Sequence, residues 1–111
     1  MEIDAISLYE PACGEREIQL VTAVLESARW GDGPMLESFE RAFAGWVGRR
    51  HAVAVGSGTL GTWIALRAYG IGPGDEVVCS SHAWHQVAQA ITLAGATPVF
   101  ADINYWTGCL S

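Results

Sequence analysis

Residues 51–66 have the sequence HAVAVGSGTLGTWIAL, which gives the clearest prediction of the fold class. Residues 51–55 form a short apolar run with two β-branched valines, which is typical of a buried strand. Glycines and hydroxyl-bearing residues follow at 56–59, and the apolar residues from Leu60 onward predict a helix that ends at Gly70. A strand, a glycine-rich turn and a helix in this order are typical of an α/β protein.

Elements of both kinds are predicted on either side of this stretch. Apolar residues recur every three or four positions over 15–28 and over 34–46, so we expect an amphipathic helix in each range. Further along, the sequence predicts strands at 76–79 and 97–101, with a helix at 83–94 between them. Strands that alternate with helices favour parallel pairing with right-handed crossovers. The predicted fold class is therefore α/β.

Composition limits the partners that the chain can have. The 111 residues are 50% hydrophobic and 16% charged, as in a single folded domain. The net charge is −6. Such a chain lacks the positive surface that neutralises phosphates, so neither nucleic acid nor an anionic membrane is expected as a partner. No apolar run is long enough to span a bilayer, and the acidic N-terminus does not resemble a signal peptide.

The types of basic residue and the spacing of the cysteines exclude some kinds of chemistry. All 6 basic residues are arginines, and the sequence contains no lysine. Chemistry that needs a side-chain amine, such as a Schiff base to a carbonyl cofactor, cannot be completed by this chain alone.

The 3 cysteines form no CxxC pair and do not suggest a disulfide framework, so we expect a reducing, cytoplasmic location.

The turn at 56–61 predicts an anion site. Glycines allow the backbone to approach a ligand closely, and the N–H groups of the first helical turn point toward a phosphate that the helix dipole also favours. Ser57 and Thr59 add hydroxyl donors beside Gly58. The alternative is a tight strand-to-helix connection that binds no ligand.

The same glycines leave the identity of the phosphate open. Gly56, Gly58 and Gly61 match the dinucleotide fingerprint, so an NAD-type oxidoreductase is one candidate. That fingerprint requires an acidic residue for the ribose at the end of the following strand. Asp75 and Glu76 have about the right spacing, but they lie at the start of that predicted strand.

Two further features follow the second predicted strand, where α/β folds place ligand contacts. Cys79, His82 and His85 are spaced as potential metal ligands, although no fourth ligand is near and Cys79 suits a buried strand position. Trp84 is placed either to lie over a flat ring or to pack on an apolar helix face with Val87.

Taken together, several short segments resemble the start of the DegT-type sugar aminotransferases, which are pyridoxal-phosphate enzymes of fold type I. The resemblance extends from about residue 15 to residue 111. It rests on the order and spacing of GPM at 33–35, FE at 39–40, FA at 43–44, HAVAVGSGT at 51–59, GIGPGDEV at 70–77 and AGATPVF at 94–100. The sequence departs from the family at Ser80 and Ser81, which replace a proline and a small residue, and at 61–63, where the family is richer in alanine.

This resemblance implies a fold and a cofactor. Residues 15–111 would be the N-terminal portion of the large domain of a fold type I transferase, a mostly parallel sheet with helices on both faces that is incomplete alone, and residues 1–14 an N-terminal arm. Gly58 and Thr59, assisted by Ser57, would hold the phosphate of pyridoxal 5′-phosphate. Trp84 would stack on its ring. The role of His82 stays open.

The resemblance also implies what other polypeptide must supply. In such enzymes the Schiff-base lysine and the acidic partner of the pyridine nitrogen come from a later part of the protein, so no residue here is predicted to be catalytic. The expected partners are a lysine-bearing remainder or complementary subunit, a keto substrate, an amino-acid donor and a second copy in an oligomer. The first strand lies apart from the next two in that fold, which predicts unpaired strand edges and exposed apolar faces.

The sequence thus leads to one main hypothesis and two alternatives. The main hypothesis is the N-terminal portion, or a separately encoded small subunit, of an aminotransferase that acts on a keto sugar or cyclitol. The alternatives are a fragment of an NAD-type oxidoreductase and a truncated interaction module without catalytic activity.

Overall fold

The computed structural model describes Ser7 and residues 9–111. Its residues fall into two compact units, one up to Val53 and one from Ala54 to Ser111. Residues 1–6 and 8 of the predicted arm lie outside the described residues, and 9–14 have no regular secondary structure. No helix in the described ranges is both long and apolar enough to cross a bilayer.

The first unit contains the two predicted amphipathic helices, α1 (Glu15–Glu26) and α2 (Pro34–Trp46). Gly14 is the N-cap residue of α1, and its N–H donates to Glu17 Oε2 at 2.8 Å, which is one of the two hydrogen bonds of a capping box. The second helix begins at Pro34 as predicted, because proline loses no hydrogen bond in the first turn. Both helices are therefore confirmed, and α1 ends two residues earlier than expected.

The second unit alternates helices and strands: α3 (Gly58–Ala68), β1 (Glu76–Ser80), α4 (Gln86–Leu93) and β2 (Thr97–Ala101). The two strands pair in parallel, with Glu76 opposite Thr97 and Ser80 opposite Ala101. Parallel neighbours need a crossover, and α4 provides it. The predicted α/β class and the predicted parallel pairing are confirmed.

A small core holds this unit together. Cys79 of β1, Ile91 of α4 and Ala96 are almost fully buried, and four partly buried side chains pack against them: Leu66, Ile71, Val77 and Val87. Outside the core, the indole Nε1 of Trp63 in α3 donates to the Leu93 carbonyl oxygen, the last of α4, at 3.2 Å. The helices α3 and α4 are thus held together both by packing of Leu66 against the core that contains Ile91 and by this hydrogen bond.

The predicted strand at 51–55 is wrong: the structure assigns no strand to these residues. A buried parallel strand needs neighbouring strands, and β1 and β2 pair with each other instead. The run is correspondingly exposed, with Val53 at 78%. The exposure of this run agrees with the exposed apolar faces that the family resemblance predicts.

Candidate functional site

The glycine-rich turn forms the N-terminus of α3. Ser57 is the N-cap residue, and its Oγ accepts a hydrogen bond from the Leu60 N–H at 3.1 Å. This bond uses the hydroxyl oxygen as an acceptor and leaves its proton free to be donated. The next N–H groups, at Gly58 and Thr59, belong to the first turn, where a helix offers no internal acceptor. The turn therefore presents several donors at one helix end.

Gly58 has no structural requirement for glycine within its own unit. Its φ is not positive, and a Cβ built there would meet no atom within 4 Å. Gly95 differs, because its φ is +88° and an added Cβ would lie 3.0 Å from Pro73 Cγ. Glycine at position 95 is thus explained by packing and backbone conformation, whereas glycine at position 58 suits a ligand that approaches the backbone from outside.

The loop after β1 places Trp84 differently from the helical alternative. The predicted helix at 83–94 begins only at Gln86, and residues 81–83 form a bend in which the His82 N–H donates to Ser80 Oγ. Trp84 therefore precedes α4 and is 79% exposed, so its packing on a helix face with Val87 is wrong. Its indole is available to a ligand.

The turn and the loop meet in one cleft of about 430 Å³. The cleft is lined by Ser57, Gly58, Thr59, Thr62, Trp84, Gln86 and Val87. All four residues predicted from the sequence to bind a cofactor, Ser57, Gly58, Thr59 and Trp84, are thus brought together.

The electrostatics of this cleft come from dipoles, since none of its lining side chains is charged. The N-terminal ends of both α3 and α4 contribute residues to it. Helix N-termini carry partial positive charge and unpaired N–H groups, so two of them at one cleft favour an anion. Thr62 plays a different part, because its Oγ1 donates to the Gly58 carbonyl oxygen at 3.0 Å.

Gln86 also lines the cleft but is not predictable from the sequence. Its side-chain Oε1 is buried and has no hydrogen-bond partner within the part of the chain that the structure describes. No motif marks this residue, because it lies far from Ser57 in the sequence and only the packing of α4 beside α3 brings it to the cleft.

The structure does not bring the three residues of the metal alternative together. Cys79 is 5% exposed and belongs to the core, whereas His82 and His85 are exposed in the loop. In the described ranges, no three His, Cys, Asp or Glu side chains are grouped as a metal site would require.

The acidic residue that a dinucleotide would need is also engaged elsewhere. Asp75 Oδ2 accepts the Gly72 N–H at 2.8 Å, which closes the turn before β1. It therefore has a local structural role at the edge of the sheet opposite to the one where a ribose would bind.

Comparisons with known proteins agree on one family. The model of the DegT/DnrJ/EryC1/StrS aminotransferase family matches residues 11–111. The spore coat polysaccharide biosynthesis protein SpsC of Bacillus subtilis is 51% identical over 94 residues, which are 85% of this chain and 24% of SpsC.

Solved structures show the same fold. DesV of S. venezuelae superposes with a TM-score of 0.77 at 37% identity, over 87% of this chain and 27% of DesV. Spr1654 of Streptococcus pneumoniae, described as a sugar aminotransferase and solved in a PMP form, gives 0.88 at 31% identity, over 96% of this chain and 27% of its own. The chain thus spans about a quarter of the length of these relatives.

Proposed function

The chain belongs to the DegT/DnrJ/EryC1/StrS aminotransferase family, and from this premise we propose that it supplies the phosphate and ring contacts for pyridoxal 5′-phosphate in an aminotransferase. The observation that carries the proposal is the cleft in which Ser57, Gly58, Thr59 and Trp84 come together. Family membership disfavours the NAD-type alternative, as does the engagement of Asp75 in a turn.

The residues of the cleft fit the phosphate. Its oxygens accept hydrogen bonds only, and the cleft offers the Ser57 hydroxyl proton and the first-turn N–H groups of Gly58 and Thr59. The open space beside Gly58 allows the phosphate to approach the backbone. These groups would anchor the cofactor by its anionic end.

Trp84 would hold the ring. Its exposed indole shares the cleft with the phosphate-binding residues, so a planar ring anchored there by its phosphate can stack on it. Stacking orients the ring and keeps water from one of its faces. When bound, the cofactor supplies the electron sink for the transfer of an amino group.

The reacting amine must come from polypeptide outside these 111 residues, since no lysine is present. We propose that a lysine-bearing remainder or a complementary subunit supplies it, together with the acidic partner of the ring nitrogen. In the same proposal, residues 15–111 are part of the cofactor-binding domain, residues 1–14 are an arm, and the complete enzyme is an oligomer.

The proposed reaction moves an amino group from an amino acid to a keto sugar or cyclitol. Support for a sugar comes from two relatives, SpsC in polysaccharide biosynthesis and Spr1654 described as a sugar aminotransferase. We place the reaction in the cytoplasm, where Cys13, Cys79 and Cys109, all unbonded here, would stay reduced.

The test is a titration of the chain with pyridoxal 5′-phosphate, followed by tryptophan fluorescence and by phosphorus NMR. We expect saturable binding without a side-chain adduct after borohydride reduction, because no lysine exists to form one. Trp84→Ala should weaken binding by about tenfold through lost stacking. Trp106→Ala is the matched control, since Trp106 is also exposed but does not line the cleft.

Three results would contradict the proposal. A reduced adduct on a side chain would place the amine chemistry in this chain. Thermal stabilisation by NADH but not by pyridoxal 5′-phosphate would favour the oxidoreductase. A folded chain that binds neither would favour the interaction module.

A further inference from the structure

Residues 104–108 form a turn after β2 that presents two aromatic side chains to solvent, and we call it the aromatic turn. Tyr105 is 85% exposed and Trp106 is 88% exposed. Their ring centroids lie 5.1 Å apart, and the ring planes cross at 83°. Tyrosine and tryptophan have a large apolar body with a polar tip, so adjacent exposed rings of this kind are typical of a binding surface.

The aromatic turn is closed by its own hydrogen bonds. Asn104 Oδ1 accepts the N–H groups of Trp106 and Thr107, at 2.9 and 3.2 Å. The Gly108 N–H donates to the Asn104 carbonyl oxygen at 2.8 Å. The two rings are therefore carried by an ordered backbone segment that needs no other element to hold its shape.

The place of the aromatic turn in the sheet relates it to the cofactor cleft. The strands β1 and β2 are parallel and Ser80 pairs with Ala101, so their carboxyl ends lie at the same edge. The segment after β1 leads to Trp84, which lines the cleft, and the segment after β2 leads to the aromatic turn. In α/β folds, ligands bind at this edge of the sheet. The turn is thus on the edge where the proposed cofactor binds.

The chemistry of the two rings suits a sugar. A pyranose has C–H groups on its faces and hydroxyl groups around its rim. An aromatic face carries partial negative charge and attracts C–H groups, while the Tyr105 hydroxyl can donate and accept hydrogen bonds. Neither Tyr105 nor Trp106 carries the positive charge that recognition of a phosphate or carboxylate uses. A neutral sugar ring is therefore the ligand that fits.

We propose that Tyr105 and Trp106 form a stacking site for the sugar ring of the substrate. This inference rests on the proposed function, because it takes a keto sugar as the substrate and the cleft as the cofactor site. It assigns recognition of the sugar to the aromatic turn and recognition of the cofactor to the cleft.

The probe is methyl β-D-glucopyranoside, whose equatorial hydroxyl groups leave C–H groups on both faces of the ring. Heteronuclear NMR of the isotope-labelled chain follows the backbone amides of residues 102–111, so affinity can be measured in every variant. We expect saturable shifts with the glucoside and none with glycerol, a polyol without a ring. Trp106→Ala should weaken binding about fivefold or more, and Trp106→Phe, which retains an aromatic face, by a smaller factor.

Trp46→Ala is the matched control. Trp46 is 81% exposed and its ring centroid lies 5.7 Å from that of Phe43, so these two also form an exposed aromatic pair, but on α2. This variant should bind the glucoside as the unchanged chain does. An equal loss in Trp46→Ala and Trp106→Ala would mean unspecific contact with aromatic surface and would overturn the inference.

Titration of the same chain with pyridoxal 5′-phosphate separates this inference from the proposed function. If the unchanged chain binds the cofactor but not the glucoside, the inference fails and the proposed function stands. If it binds the glucoside through Trp106 but not the cofactor, the sugar site stands and its link to an aminotransferase substrate fails. If it binds neither, both fail.

Discussion

The helices α1 and α4 have the same kind of apolar stripe but opposite environments. Ile18 in α1 is 60% exposed, and no residue of that helix is buried. Ile91 in α4 is 1% exposed and belongs to the core with Cys79 of β1. The apolar period thus predicts a helix in both cases. Whether the apolar face of such a helix is buried depends on whether these 111 residues also contain the elements that pack against it.

The largest expected effect is at the buried end of this comparison. Ile91→Ala removes a fully buried side chain from a small core, so it should lower the free energy of unfolding by about 2–5 kcal/mol through lost transfer energy and a cavity. Urea denaturation followed by circular dichroism measures this. A loss below about 0.5 kcal/mol, the size of a surface substitution, would mean that this core does not stabilise the unit.

The next effect concerns glycines in the two units. Gly95→Ala forces alanine into a φ of +88° and into contact with Pro73, and should cost about 1–3 kcal/mol. A Cβ added at Gly45 in α2 would meet no atom within 4 Å, and Gly45 is not at positive φ. Gly45→Ala should therefore raise the free energy of unfolding by up to about 1 kcal/mol. The two changes should therefore have opposite signs in the same denaturation experiment. Equal signs would refute the backbone argument.

A smaller effect separates stability from binding at the rim of the cleft. Ser57→Ala removes the N-cap bond of α3 and should cost about 1 kcal/mol. Ser57→Asp retains a capping oxygen and should preserve stability, while its charge should weaken pyridoxine 5′-phosphate by about tenfold or more. Melting curves and fluorescence titrations give the two numbers. Binding that survives Ser57→Asp would argue against a phosphate at this turn.

The smallest effect lies at the exposed end. Ile18→Ala removes the same atoms as Ile91→Ala, but from a side chain that is largely in solvent, so the free energy of unfolding should change by no more than about 0.5 kcal/mol. A loss comparable to that of Ile91→Ala would show that α1 is covered in solution.

The fold was predictable from the sequence wherever local patterns decide it. The strand at 97–101 coincides with β2, and α2 begins at the predicted Pro34 because proline chemistry is local. The predicted strand at 51–55 was wrong because a β-strand is stabilised by hydrogen bonds to neighbouring strands, which a local sequence pattern does not specify. The predicted start of α4 was wrong because the apolar pattern continues back to Trp84. In the structure the preceding loop is bent, and the His82 N–H donates to Ser80 Oγ there.

The candidate site divides in the same way. Ser57, Gly58 and Thr59 are predictable as a possible phosphate site because the glycine and the hydroxyl groups stand in consecutive residues, and the structure shows that they line one cleft. For Trp84, residue spacing left two environments open, and its role beside a cofactor ring is a prediction from the family resemblance alone. Gln86 could not be predicted, because only the packing of α4 beside α3 brings it to the cleft.

The hydrogen bond from the Trp63 indole to the Leu93 carbonyl oxygen has a consequence for affinity. It joins the C-terminal end of α4 to the N-terminal half of α3, and so it opposes sliding of one helix along the other. This bond therefore helps to hold in place the two helices whose N-terminal residues line the cleft. A preorganised cleft loses little conformational entropy on binding, so more of its contact energy appears as affinity.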